Sequence, residues 1–157
     1  MQIHQLYRHQ ELDMTVQEAW DFFSSPHHLN DITPDFFNVE ITSHVPEKIY
    51  AGLLIRYRMK AVFGIPMAWL SEISNCEEPK RFVYQQRIGP FKFWSHEVCL
   101  TATEKGIHLE DIMFYAMPFG WLGEMMNRWL IANRLARIFD MRRDYLHARW
   151  NQSPQAY

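Results

Sequence analysis

Trp94-Ser95-His96-Glu97-Val98-Cys99-Leu100 and Leu109-Glu110-Asp111-Ile112-Met113-Phe114-Tyr115 flank the turn-forming segment Thr103-Glu104-Lys105-Gly106. Apolar and polar side chains alternate through both runs, the period of a half-buried strand. If the turn is a two-residue loop within Thr103–Gly106, the numbers of paired residues sum to an odd value. Even residues of the first strand then share a face with odd residues of the second. That places Trp94, His96, Val98 and Leu100 beside Leu109, Asp111, Met113 and Tyr115. Both sets are mostly apolar, so this face is the buried one, and their agreement supports the register. The opposite face carries Ser95, Glu97, Thr101, His108 and Glu110, which suits water.

The same signals extend upstream. Phe36–Val45, Leu53–Ala61, Ile65–Ser74, Arg81–Arg87, Phe91–Thr103 and Ile107–Met117 are extended segments divided by Gly and Pro turns, and residues 4–13 read as a further strand. Spacings this short imply an antiparallel meander rather than βαβ units. Thr15-Val16-Gln17-Glu18 is a capping box that opens a short helix with Val16, Ala19, Trp20 and Phe23 on its inner face. Pro26 opens a second short helix through Leu29. Trp20 and Phe23 read as plain core.

From Trp121 the period becomes helical. Leu122, Met125, Met126, Trp129, Ala132, Ala136, Phe139 and Leu146 form an apolar stripe with no Gly or Pro between Gly123 and Pro154. Such a helix runs about 40 Å. Its arginines, Arg128, Arg134, Arg137, Arg142 and Arg149, read as a solvated face. The expected fold is therefore α+β: a curved seven-stranded antiparallel sheet, two short helices, and a long C-terminal helix over a cavity. Residues 1–150 are read as one domain and residues 151–157 as a tail.

Composition narrows the function. The chain has 157 residues, with 16 Lys and Arg against 18 Asp and Glu, a net charge of −2. That balance lacks the basic footprint of a nucleic-acid binder. Ala61 to Leu70, a run free of charge and strong polarity, is too short to span a bilayer, and no signal peptide is visible, so a cytoplasmic location is expected. The 11 Phe, 7 Tyr, 6 Trp and 9 Met supply large contact areas suited to a dense core or an apolar cavity.

His96 and Asp111, one diagonal step apart on an apolar face with Tyr115 near, are the one constellation with chemistry. A buried polar pair either satisfies itself structurally or meets a ligand. His96 is the candidate ligand contact or general base and Asp111 its orienting partner. No metal or cofactor is expected. His27-His28 diverge on a helix, the segment after His96 lacks the second His of HExxH, and no nucleotide fingerprint occurs. Cys99 faces away from His96, which weakens a Cys–His nucleophile. Apolar residues at the tip Val62-Phe63-Gly64-Ile65-Pro66-Met67 read as a turn tucked under a neighbouring element or as a homodimer contact or ligand-entrance lip, ahead of a membrane-touching tip, since no basic cluster accompanies them.

Trp20-Asp21-Phe22-Phe23-Ser24-Ser25-Pro26, Leu29, Thr33-Pro34, Gly52 through Tyr57, Trp69-Leu70-Ser71-Glu72-Ile73, Phe82 with Gln86, and Gly89-Pro90-Phe91 follow one another. Trp94 with His96, Asp111, Tyr115, Pro118, Gly120, Ile138-Phe139 and Arg142 complete the series. In this order they resemble the SRPBCC (START-like, helix-grip) superfamily, and within it the bacterial ligand-binding subgroup often labelled cell-division-inhibitor-like. The chain departs from the subgroup at Tyr84-Gln85, where an acidic pair is usual, and at Val98, where a second histidine is common. Both departures remove ionisable groups. The resemblance implies a helix-grip fold with a cavity between sheet and C-terminal helix. Its wider relatives include polyketide cyclases and aromatases, lipid carriers, quinone-binding proteins and co-chaperone domains.

The expected function is binding of a small hydrophobic or amphipathic molecule, with Tyr57, Trp69, Gln86, Trp94, His96, Asp111, Met113 and Tyr115 around it. A cyclase- or dehydratase-like enzyme using His96 with Asp111 is the alternative. A protein-interaction module using the Phe63 tip or the arginine-bearing helix is the third reading.

Overall fold

The structure, a computed structural model, describes residues 1–28, 30–32, 38–60 and 64–151. Leu29, the start of the strand expected from Phe36, the tip residues Val62 and Phe63, and the tail from residue 152 lie outside that set.

Seven strands form one antiparallel sheet: β1 (His4–Leu12), β2 (Glu40–Ile41), β3 (Leu54–Lys60), β4 (Pro66–Glu77), β5 (Arg81–Ile88), β6 (Phe93–Thr103) and β7 (Gly106–Ala116). Their order across the sheet is β1-β7-β6-β5-β4-β3-β2, a meander with the first strand added against the last. The β6–β7 hairpin has the expected register. Thr103 pairs with Gly106, Val98 with Asp111 and Trp94 with Tyr115. One face of it is buried: Val98 and Leu100 with Leu109, Met113 and Tyr115. Two register shifts in β4, at Leu70/Ser71 and Ile73/Asn75, break the β4–β5 ladder. Bulges of this kind bend a strand and raise its twist, which helps a sheet curl around a helix.

The segment expected to be a strand from Phe36 to Val45 contributes only β2 among the described residues, and β4 runs three residues beyond the expected end at Ser74. The capping box is present. The Glu18 amide donates to Thr15 Oγ1 at 3.2 Å and the Thr15 amide to Glu18 Oε2 at 2.7 Å, opening α1 (Val16–Phe23). Two 3-10 turns, Pro26–His28 and Asn30–Ile32, follow it.

The C-terminal helix is not uniform. It comprises α2 (Gly120–Met126), a π turn (Asn127–Ile131) and α3 (Ala132–Trp150). Its buried row is Gly123, Asn127, Ile131, Leu135, Phe139, Arg142 and Leu146. The expected stripe is therefore wrong over its first half, since Leu122, Met125, Met126 and Trp129 are exposed, Trp129 by 79%. The π turn sets where the inward row runs. Counting back from Phe139 at 3.6 residues per turn points Arg128 and Met125 inward. The extra residue of a π turn moves that row by one position. Arg142 likewise departs from the solvated face expected of it and is 8% exposed. No helix of the described residues is long and apolar enough to cross a membrane.

Candidate functional site

The curved sheet and the C-terminal helix enclose a cavity of about 480 Å³. Alternation along the strands supplies its floor. Ile55 and Tyr57 come from β3, Trp69 and Ser71 from β4, Phe82 and Tyr84 from β5, and Trp94, His96 and Val98 from β6. Ile131, Leu135, Phe139 and Arg142 descend from the helix, and Phe23 closes the α1 side, so Phe23 is both core and wall.

Of the residues expected around a ligand, Tyr57, Trp69, Trp94 and His96 line this cavity. Gln86, Asp111, Met113 and Tyr115 stand outside the lining, each with a partner of its own. Gln86 holds the backbone of Phe91 at two points: its Nε2 donates to the Phe91 carbonyl at 2.7 Å, and the Phe91 amide donates to its Oε1 at 3.2 Å. Phe91 thereby sits against Trp94 (ring centroids 4.7 Å apart) and Trp69 (5.9 Å). Trp69 meets Trp94 edge-on at 5.2 Å and donates its Nε1–H to Ser71 Oγ at 2.9 Å. Met113 is fully buried beneath the helix, packed with Tyr115, Ile131 and Leu135. The Tyr115 hydroxyl donates to Asn127 Oδ1 at 2.9 Å, which satisfies the buried side chain at the start of the π turn.

His96 and Asp111 meet as the register requires, with Nε2 of the ring 2.8 Å from Asp111 Oδ1. Both are buried. Arg142 Nη1 reaches the same oxygen at 3.3 Å, from the helix side. Burial alone would raise the Asp111 carboxyl, but the Arg142 charge and the His96 hydrogen bond outweigh it and hold the group below its ordinary value. Burial holds the His96 imidazole below its ordinary value despite the opposing pull of Asp111, so the ring is neutral at pH 7. An anionic Asp111 requires the proton on Nε2, and Nδ1 is left as an acceptor. The ring itself is part of the cavity wall. Tyr84, paired with His96 across the β5–β6 ladder, has its ring 4.8 Å away. Burial pushes its phenol up to about 12, against the pull of the nearby Arg142 charge.

Acidification should therefore weaken the fold through His96. Below the ordinary imidazole value of 6.5, an unfolded chain takes up a proton that folded His96 resists, so stability falls as pH drops. Asp111 acts in the same direction, in a lower window that begins near its ordinary 3.8. Urea unfolding at pH 7.5 and pH 5.5 is expected to show a steeper loss for the wild type than for His96→Gln, which keeps a donor for Asp111 and cannot titrate. Parallel losses in the two proteins would remove His96 as the source.

Sequence reasoning misses Arg142, Tyr84, Ser71, Phe91 and Phe23 as parts of the site. Arg142 has a legible signal, three residues after Phe139 and four before Leu146, which is the inward row of the helix. Tyr84 has one too, since it alternates with Phe82 and Gln86 along β5. Phe91 has none, because its placement depends on the Gln86 clamp.

Among the described residues, no group of three His, Cys, Asp or Glu side chains is arranged to hold a metal ion, and Cys76 and Cys99 are free thiols.

No family model and no curated protein matches the sequence. Solved structures match the fold. A protein of Chromobacterium violaceum has a TM-score of 0.71 at 13% identity, covering 95% of this chain and 98% of that one. Ginseng major latex-like protein 151 from Panax ginseng has a TM-score of 0.68 at 14% identity, covering 94% of this chain and 97% of that one. The di-domain ARO/CYC StfQ from the steffimycin biosynthetic pathway has a TM-score of 0.63 at 12% identity, covering 94% of this chain and 52% of that one. Identities this low speak for the fold alone, and the fold they share with this chain is the curved antiparallel sheet gripping a long C-terminal helix.

Proposed function

We propose that this protein binds a small, mostly apolar molecule in the cavity between the sheet and the C-terminal helix. The observation that carries the reading is the cavity itself. Its volume of about 480 Å³ is that of a small-molecule site, and its walls are aromatic and aliphatic with few polar groups. Trp69, Phe91 and Trp94 offer flat surfaces for a ring or chain, and His96, Tyr84 and Arg142 supply the polar contacts. The ordered sequence markers from Trp20 to Arg142 support a place in the ligand-binding SRPBCC subgroup.

Native mass spectrometry of the protein with long-chain, quinone and aromatic polyketide compounds tests this. A saturable one-to-one complex is expected, lost in Leu135→Trp, which fills the cavity from its helix wall. Binding undiminished in a folded Leu135→Trp protein would move the ligand elsewhere.

A second reading rests on the His96–Asp111 hydrogen bond. A neutral imidazole on a residue of the cavity wall has the form of a general base, with Asp111 as its orienting partner. That reading requires turnover that collapses in His96→Gln. Stoichiometric binding without turnover separates the two.

A further inference from the structure

We propose that the ligand of this cavity is a hydrophobic carboxylic acid, held as its anion with the carboxylate against Arg142. The inference rests on the apolar-ligand reading above and names the chemistry of the ligand's polar end.

Among the described residues of the cavity wall, the charged side chains are Lys60, Arg134 and Arg142, and no carboxylate is among them. Asp111 stands behind His96, outside the lining, and compensates only one edge of the Arg142 guanidinium. A wall that is apolar and carries only positive charge favours an amphipathic anion over a neutral or cationic molecule of equal size.

Arg142 differs from the other two cations. Lys60 is exposed and Arg134 half-buried, whereas Arg142 is 8% exposed. Its guanidinium stands over Phe23 at 5.5 Å and Phe139 at 6.0 Å, which restrains its plane. A guanidinium has five N–H donors. Among the described residues its ionic contact is the single one to Asp111 at 3.3 Å, the Tyr84 phenol is its other polar neighbour, and its Nε has no hydrogen-bond partner. A buried cation this sparsely partnered is costly unless another acceptor meets it. A carboxylate offers two oxygens to the remaining donors in the geometry a guanidinium favours. Lys60, which shares the cavity rim with the exposed Ile65 and Phe119, would draw the acid inward without holding it.

Calorimetric titration with dodecanoic acid, dodecan-1-ol and dodecylamine separates head group from chain. The acid is expected to bind about ten-fold more tightly than the alcohol, and the amine most weakly, as charge-assisted hydrogen bonding to Arg142 requires. In Arg142→Met the acid and alcohol should bind within about two-fold of each other. Should that variant fail to fold, Lys60→Gln/Arg134→Gln decides. Retention of the acid preference supports Arg142, and its loss transfers the head group to the rim and overturns the assignment. Equal affinities of wild type for acid and alcohol would overturn it too, leaving the apolar-ligand reading intact. Binding of none of the three would remove that reading as well.

Discussion

Asp111→Ala is expected to destabilise the fold by about 3–5 kcal/mol, the cost of removing one partner from a buried ion pair. Asp111 is the acceptor for His96 Nε2 at 2.8 Å and the ionic partner of Arg142 at 3.3 Å, and all three side chains are buried. Alanine would strand a guanidinium and an imidazole N–H at once. Asp111→Asn keeps an oxygen for His96 but loses the charge, so its loss should be smaller. Combining Asp111→Asn with Arg142→Met removes both charges and should recover part of the loss, because a paired deletion leaves no uncompensated ion. Urea unfolding of wild type, the two single variants and the double variant forms the cycle. Additive losses would mean that Asp111 and Arg142 do not act as a pair.

Leu146→Ala is expected to cost about 2–5 kcal/mol, whereas Trp129→Ala should fall within about 0.5 kcal/mol of the wild type. Leu146 is fully buried and joins the cluster of Trp20, Phe22, Phe23 and Leu109, so it fastens the end of α3 to α1 and the sheet. Deleting its side chain opens a cavity that this crowded site can close only in part. Trp129 is the larger residue but stands in solvent. The apolar stripe expected from the sequence contains both, so the pair of variants tests where the inward row runs. A large loss in the Trp129 variant would put the helix phase in error.

The hairpin that carries His96 and Asp111 is legible in the sequence because strand alternation is strict and the turn at Glu104-Lys105 leaves a single register. Buried pattern and turn chemistry agree, and the contact follows. The capping box at Thr15 is legible for the same reason, as a local interaction complete within four residues. The π turn is not. It goes with the Tyr115–Asn127 hydrogen bond, a contact between strand and helix that no local pattern announces. The row Gly123, Asn127, Ile131, Leu135, Phe139 advances by four residues each time, and each step overshoots a turn by about 40°. In an unbroken α-helix such a row would leave the core, and the π turn brings it back.

Arg142 shows the opposite failure. Its position in the inward row is visible, but its charge argues for solvent, and the ionic partner that offsets its burial, Asp111, lies thirty-one positions earlier in the chain. Gln86 is placed on the correct face and given a ligand's role, whereas its amide is taken up by the Phe91 backbone. Both errors come from polar groups whose partners lie outside their own element. Such partners are what a reading by period cannot supply.

The most direct measurement is methyl NMR of the protein titrated with a ligand that native mass spectrometry shows to bind. A ligand seated in the cavity gives saturable shifts at the cavity-wall methyls of Ile55, Ile73, Val98, Leu135 and Ile138, with Ile107 and Leu146, buried outside the lining, unmoved; that is the expected result. Shifts confined to the exposed Leu122 and Leu54, with the cavity methyls still, would contradict it.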